Sequence, residues 1–168
     1  MKLHLKTFAI AMLMAPMFLS AQFHCVSFDA LTLGTQYGDG INNQGDWIFT
    51  EDNIDVSVEY FEWPGGGGMF GTATVIDGSG TFGTMNSMWT SNINLGFDFS
   101  GIGYTPNRVV FDFIDSGGNE NISVNGSPIF AGELIMAPMP PGITMVITDM
   151  GAYMQATLYG PVVSLVVG

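Results

Sequence analysis

Carboxylates are almost the only charged chemistry this chain offers. Beyond Lys6, Arg108 and His24 are the only basic side chains, against fifteen Asp and Glu that all lie downstream of Phe28. A Ser/His/Asp or Cys/His site needs an imidazole beside its nucleophile, and His24, close to the N-terminal end, is the single base on offer. The same scarcity excludes a His-rich metal site and disfavours zinc. For catalysis there remains a carboxylate pair of the glycoside-hydrolase kind, with Glu59, Glu62 and Glu133 as candidates. Water-facing strand residues are often acidic, so their spacing alone does not select catalysis, and the expectation is a protein that is not an enzyme.

Calcium suits these side chains better, because it takes hard oxygen ligands from carboxylates, amides and loop carbonyls. Three loops supply them: Asp39/Asn42/Asn43/Asp46, Glu51/Asp52/Asn53/Asp55 and Asp115/Asn119/Glu120/Asn121. None has EF-hand spacing, and Asp and Asn in such loops equally make turns with their own backbone. A third constellation is aromatic. Trp63, Phe70, Trp89 and Tyr104 border Gly-rich or polar loops, where a ring face can stack on the C–H groups of a sugar. Trp63, beside Glu62, Pro64 and the run Gly65–Gly68, is the leading candidate; core packing is the competing role for each ring.

The elements that must position these residues read as strands. Gly makes up 23 of 168 residues, about twice its usual share, and Gly clusters punctuate short apolar runs with no sustained 3.6-residue period. Strands are expected over Phe23–Leu33, Trp47–Thr50, Asp55–Trp63, Met69–Ile76, Asn92–Phe99, Arg108–Ile114, Asn121–Val124, Ser127–Phe130, Ile143–Thr148, Tyr153–Tyr159 and Val162–Val167. Asn125-Gly126 is the strongest hairpin signal. Phe61 and Trp63 break the alternation of their strand, which predicts a bulge or an exposed aromatic pair. About ten strands at spacings of roughly 8–12 residues predict an all-β, antiparallel jelly-roll β-sandwich in a single domain, residues 22–168.

Residues 1–21 read as a signal peptide: Lys2 and Lys6, then the apolar run Phe8–Leu19, then Ser20-Ala21 at the cleavage site. The run is too short for a bilayer, which needs roughly 20 apolar residues. The short Lys-initiated signal is of bacterial type, so the domain is expected outside the cell or in the periplasm. Its removal leaves one Arg against fifteen acids, a net charge of −14 with His neutral. Such a charge repels nucleic acid and anionic lipid, so neither is an expected partner. Cys25 is the only Cys; it is either a free thiol or paired with a Cys on another chain or on sequence not present here. The apolar run Val162–Val167 suggests a strand central to a sheet, or an open edge in a chain truncated at its C-terminus.

Two stretches carry a resemblance: Gly45-Asp46-Trp47-Ile48-Phe49-Thr50-Glu51-Asp52-Asn53-Ile54-Asp55-Val56, and Phe111-Asp112-Phe113-Ile114-Asp115-Ser116-Gly117-Gly118-Asn119-Glu120-Asn121-Ile122-Ser123-Val124-Asn125-Gly126. With Phe28-Asp29 they resemble secreted bacterial jelly-roll modules of the carbohydrate-binding, galactose-binding-like type. That resemblance implies a sandwich that binds glycans and holds a structural calcium, with Asp29 as a first-strand ligand; no acid follows Asp149 to supply the late ligand. The leading expectation is a non-catalytic extracellular module that binds glycan or a cell-surface polymer. The alternatives are a structural or adhesive module that binds another protein, and a carboxylate-dependent glycan hydrolase.

Overall fold

Strict alternation builds the sheet. In Ile54–Glu62, Ile54, Val56 and Val58 are buried while Asp55, Ser57 and Glu59 face the other way, as a period of two requires. The computed structural model describes residues 23–83 and 86–168; the signal-peptide reading of residues 1–21 falls outside them. Thirteen strands occur among the described residues: β1 Gln36–Gly38, β2 Trp47–Glu51, β3 Ile54–Glu62, β4 Gly68–Met69, β5 Thr72–Asp77, β6 Asn86–Ser91, β7 Ile93–Asp98, β8 Arg108–Phe113, β9 Glu120–Val124, β10 Phe130–Gly132, β11 Thr144–Asp149, β12 Met154–Tyr159 and β13 Ser164–Val167. The surplus comes from β1, β4 and β6, while the expected strand Ser127–Phe130 shifts to β10.

The strands form an antiparallel sandwich. One layer is a seven-stranded sheet, β10-β9-β13-β7-β3-β2, with β4 paired to β3. The other layer is split into two three-stranded sheets, β1-β5-β6 and β11-β12-β8. From β7 onward the chain crosses to the other layer for β8, returns for β9 and β10, crosses again for β11 and β12 and returns for β13, so that β13 slots between β7 and β9 while β12 slots between β8 and β11. This is jelly-roll winding. Two apolar rows cross the inner face of the large sheet in register, Val56-Phe97-Leu165-Val124 and Val58-Leu95-Val167-Ile122.

The split layer divides the core. Under β8, β11 and β12, Leu158, Leu165, Ile122 and Val124 form one cluster. Under β5 and β6, Val58, Ala73, Ile93 and Leu95 form another. Phe97 packs against both.

Three expectations change. Phe23–Leu33 is not a strand. Phe28 has a left-handed φ of 64°, and the segment is tied down by carboxylates instead of a ladder. The N–H groups of Ser27 and Phe28 and the Ser27 hydroxyl donate to the Glu51 carboxylate at 3.1, 3.1 and 2.7 Å. Cys25 N–H donates to Asp52 at 3.0 Å. Phe61 and Trp63 are not an exposed pair: Phe61 is buried, and the rings meet edge-on with centroids 5.0 Å apart. The bulge lies opposite β3, between Trp47 and Phe49 of β2. Finally, β13 is central, paired with β7 on one side and β9 on the other, so its apolar run is not an open edge.

Candidate functional site

Two concavities gather the residues able to do chemistry. The first is a shallow groove of about 760 Å³ on the outer face of the large sheet. Register builds it: Trp47, Ser57, Gly96, Val166 and Ser123 form one row across β2, β3, β7, β13 and β9, and Thr50, Asp55, Asp98 and Ser164 the next. Side chains directly opposite each other on paired strands share a face. The β2 bulge brings Trp47 and Thr50 onto the same face, and the indole N–H donates to Thr50 Oγ1 at 2.9 Å. Thr50 in turn donates to Asp55.

Buried Gly96 underlies the groove floor, and the side chains of Ser57 and Glu59 cover it. A Cβ there would come within 2.5 Å of Ser57 Oγ and 3.2 Å of Glu59 Cγ. Ser57 Oγ donates to the Glu59 carboxylate at 2.8 Å, and Ser100 N–H donates to Asp98 at 2.8 Å. Tyr104, 41% exposed, lines the groove from the loop after the 3₁₀ turn Ser100–Ile102. Its ring lies 5.8 Å from that of His24, whose Nδ1 sits 3.0 Å from the Asp52 carbonyl and 3.3 Å from its carboxylate. The N-terminal tether and the groove therefore meet at Tyr104.

The second concavity is a cleft of about 530 Å³ where the split layer parts. The whole of β6 lines it on one side, and Phe111–Ile114 with Ser116–Glu120 on the other. Ile93, Leu95, Phe97 and Val167 of the large sheet also line it, as do Phe61 and Trp63. Burial pushes the Glu120 carboxyl above its ordinary range, helped by a hydrogen bond with Asp115 and by that residue's charge.

The aromatic candidates are thus divided. Tyr104 lines the groove, while Trp63 and Trp89 line the cleft, 38% and 51% exposed. Phe70 packs against the smaller core cluster. The main chain of Glu62 is bracketed by the fully buried Asn121, which accepts from Glu62 N–H at 2.6 Å and donates to its carbonyl at 2.9 Å. Glu62 and Glu133 line neither concavity; Glu59 lines the groove.

The acids of the three calcium-candidate loops are largely engaged with backbone. Asp46 accepts from Asn43 N–H and its amide at 2.7 and 3.2 Å. Asp52 and Asn53, both with positive φ, are the two central residues of the β2–β3 hairpin, a type I′ turn. Asp115 accepts from Gly117 N–H at 2.7 Å, Asp29 accepts from Asn86 N–H at 2.9 Å, and Asp39 is exposed in the loop after β1. Asn119 lines the cleft beside Glu120. Among the described residues no three His, Cys, Asp or Glu side chains are grouped to hold a metal ion.

Sequence reading missed Ser57, Gly96, Asp98 and Ser164 as partners in one groove, and Trp47 as their neighbour on the same face. Trp47 alternates with Phe49 in sequence, and only the bulge sets its face. Burial and three neighbouring carboxylates, Glu51, Asp52 and Asp29, push the Cys25 thiol above its ordinary range, which makes it a poor nucleophile. No protein-family model matches this chain, and no curated protein or solved structure is significantly similar to it.

Proposed function

We propose that this protein is a non-catalytic extracellular module that binds glycan or a cell-surface polymer through the groove on the outer face of its large sheet. One observation carries the reading. Gly96 carries no side chain, so the hydrogen-bonded Ser57 and Glu59 close over it and form a polar floor, walled by Tyr104 and continued by Asp98 and Ser164 on the two adjacent strands. A sugar offers C–H groups to an aromatic wall and hydroxyls to acceptors, and this surface supplies both. Exposed Trp47 extends the same face toward the sheet edge. The three carboxylates considered for hydrolysis do not share a cavity, which favours binding over catalysis. A structural calcium belongs to the proposal, with Asp115 and Glu120, which hydrogen-bond to each other, as its nearest paired carboxyls.

The test is a glycan array probed with the purified protein and with Tyr104→Ala and Glu59→Gln. Each variant is expected to bind at least about tenfold more weakly, a loss of about 1.4 kcal/mol, with its melting curve nearly unchanged. Undiminished binding by both variants overturns the groove. If Trp63→Ala alone abolishes binding, the sugar sits in the cleft instead.

A further inference from the structure

The cleft has a property that the groove lacks: two strand edges that no other strand pairs border it, the β6 edge being held, among the described residues, only at its first residue, where Asn86 N–H donates to Asp29 at 2.9 Å. β6 ends one three-stranded sheet and β8 ends the other. Both line the same cleft, and no backbone hydrogen bond joins them among the described residues. An edge strand exposes a row of N–H and C=O groups that a further strand can satisfy. Below the gap lie the part-exposed Phe97 and Val167 of the large sheet, over the buried Ile93 and Leu95, an apolar floor for the inward side chains of an inserted strand.

We infer that the cleft is a strand acceptor: an extended segment of a partner protein, alternating apolar with Lys or Arg residues, inserts between β6 and β8 and turns the two small sheets into one continuous layer. Alternation sets the apolar half of this pattern. Met88 of β6 and Val109, Phe111 and Phe113 of β8 pack inward on the core, so Trp89 and Asp112 face outward. The inward side chains of the insert would meet the apolar floor. Charge complementarity sets the other half. An outward cation lies between the exposed indole of Trp89 and the carboxylate of Asp112, which already accepts from Gln155 at 2.9 Å. Glu120 lines the same cleft with Asp115 beside it, and the domain as a whole repels acidic segments. This is β-augmentation with two edges in place of one.

The experiment pans a displayed random octapeptide library on the purified protein, then resynthesises the leading peptide. Enriched sequences are expected to alternate apolar residues with Lys or Arg. Hydrogen exchange should slow in both Asn86–Ser91 and Arg108–Phe113 when the peptide binds. N-methylation of alternate peptide nitrogens should weaken binding at least about tenfold. Trp89→Ala and Asp112→Asn, both outward-facing, should each weaken it by about 2- to 5-fold. Tyr104→Ala should leave peptide binding unchanged, which separates this site from the glycan groove. The proposal is overturned if no alternating basic sequence is enriched, if only one edge or neither gains protection, or if the N-methylated peptide binds equally well.

Discussion

Individual carboxylates in this chain hold backbone in place. Glu51 accepts three hydrogen bonds from Ser27 and Phe28, the largest share among the anchors of a segment that lacks a ladder. Glu51→Ala should cost about 2 kcal/mol, since hydrogen bonds to a charged acceptor are the stronger kind. Urea unfolding should show a lower midpoint with an unchanged slope; an unchanged midpoint would mean that the tether contributes nothing to stability. Glu120 behaves differently. Its carboxyl titrates above the ordinary value of 4.5 in the folded state, through burial and Asp115. The folded protein therefore holds this proton more tightly than the unfolded chain. Stability from this group is complete below about 4.5 and is lost as pH rises through the folded value. Glu120→Gln should flatten that part of the stability–pH profile and raise the melting temperature at pH 7 relative to wild type. A parallel profile for the variant would show that the pair does not share a proton.

At the scale of elements, turn chemistry and alternation were legible, and partner choice was not. Asn125 and Gly126 have φ of 55° and 70°, and Ser127 N–H donates to the Val124 carbonyl at 3.1 Å, the type I′ turn that their order announces. Gly126→Ala forces a Cβ into the left-handed region and should cost about 1–2 kcal/mol, read as a fall in melting temperature. Leu165→Ala, in a strand paired on both sides and buried to 2% exposure, should cost about 2–5 kcal/mol. Equal losses would mean that burial of Leu165 contributes no more to stability than the turn at Gly126. Sequence alone missed β6, because Asn86-Ser87-Met88-Trp89-Thr90-Ser91 offers one large apolar residue to the core and several polar ones, the composition of an edge. It also read Phe23–Leu33 as a strand, since an apolar start looks the same whether a ladder or a side-chain carboxylate satisfies its N–H groups. The groove was invisible for a related reason: Ser57, Gly96 and Val166 come from three strands, and only register aligns them.

Over the whole molecule, charge and winding set the behaviour. A net −14 on residues 22–168 crowds like charges into the folded state and destabilises it. Screening by salt should relieve part of this, and a cation bound only by the folded form should relieve more. Calcium at about one hundred times its dissociation constant should stabilise by about 2.7 kcal/mol, a rise of about 5–10 °C in melting temperature. The comparison is millimolar calcium against chelator at matched ionic strength; identical melts would leave screening alone. Winding has a consequence in time. β7 and β9 do not pair through their backbones; β13 joins them, and it comes from residues 164–167. A ribosome delivers the chain from the N-terminus, so the large sheet stays open until that strand emerges, and pairing over so long a separation is slow. The nascent chain is thus kept from closing its principal sheet during synthesis, and that sheet closes only once residues 164–167 are free of the ribosome.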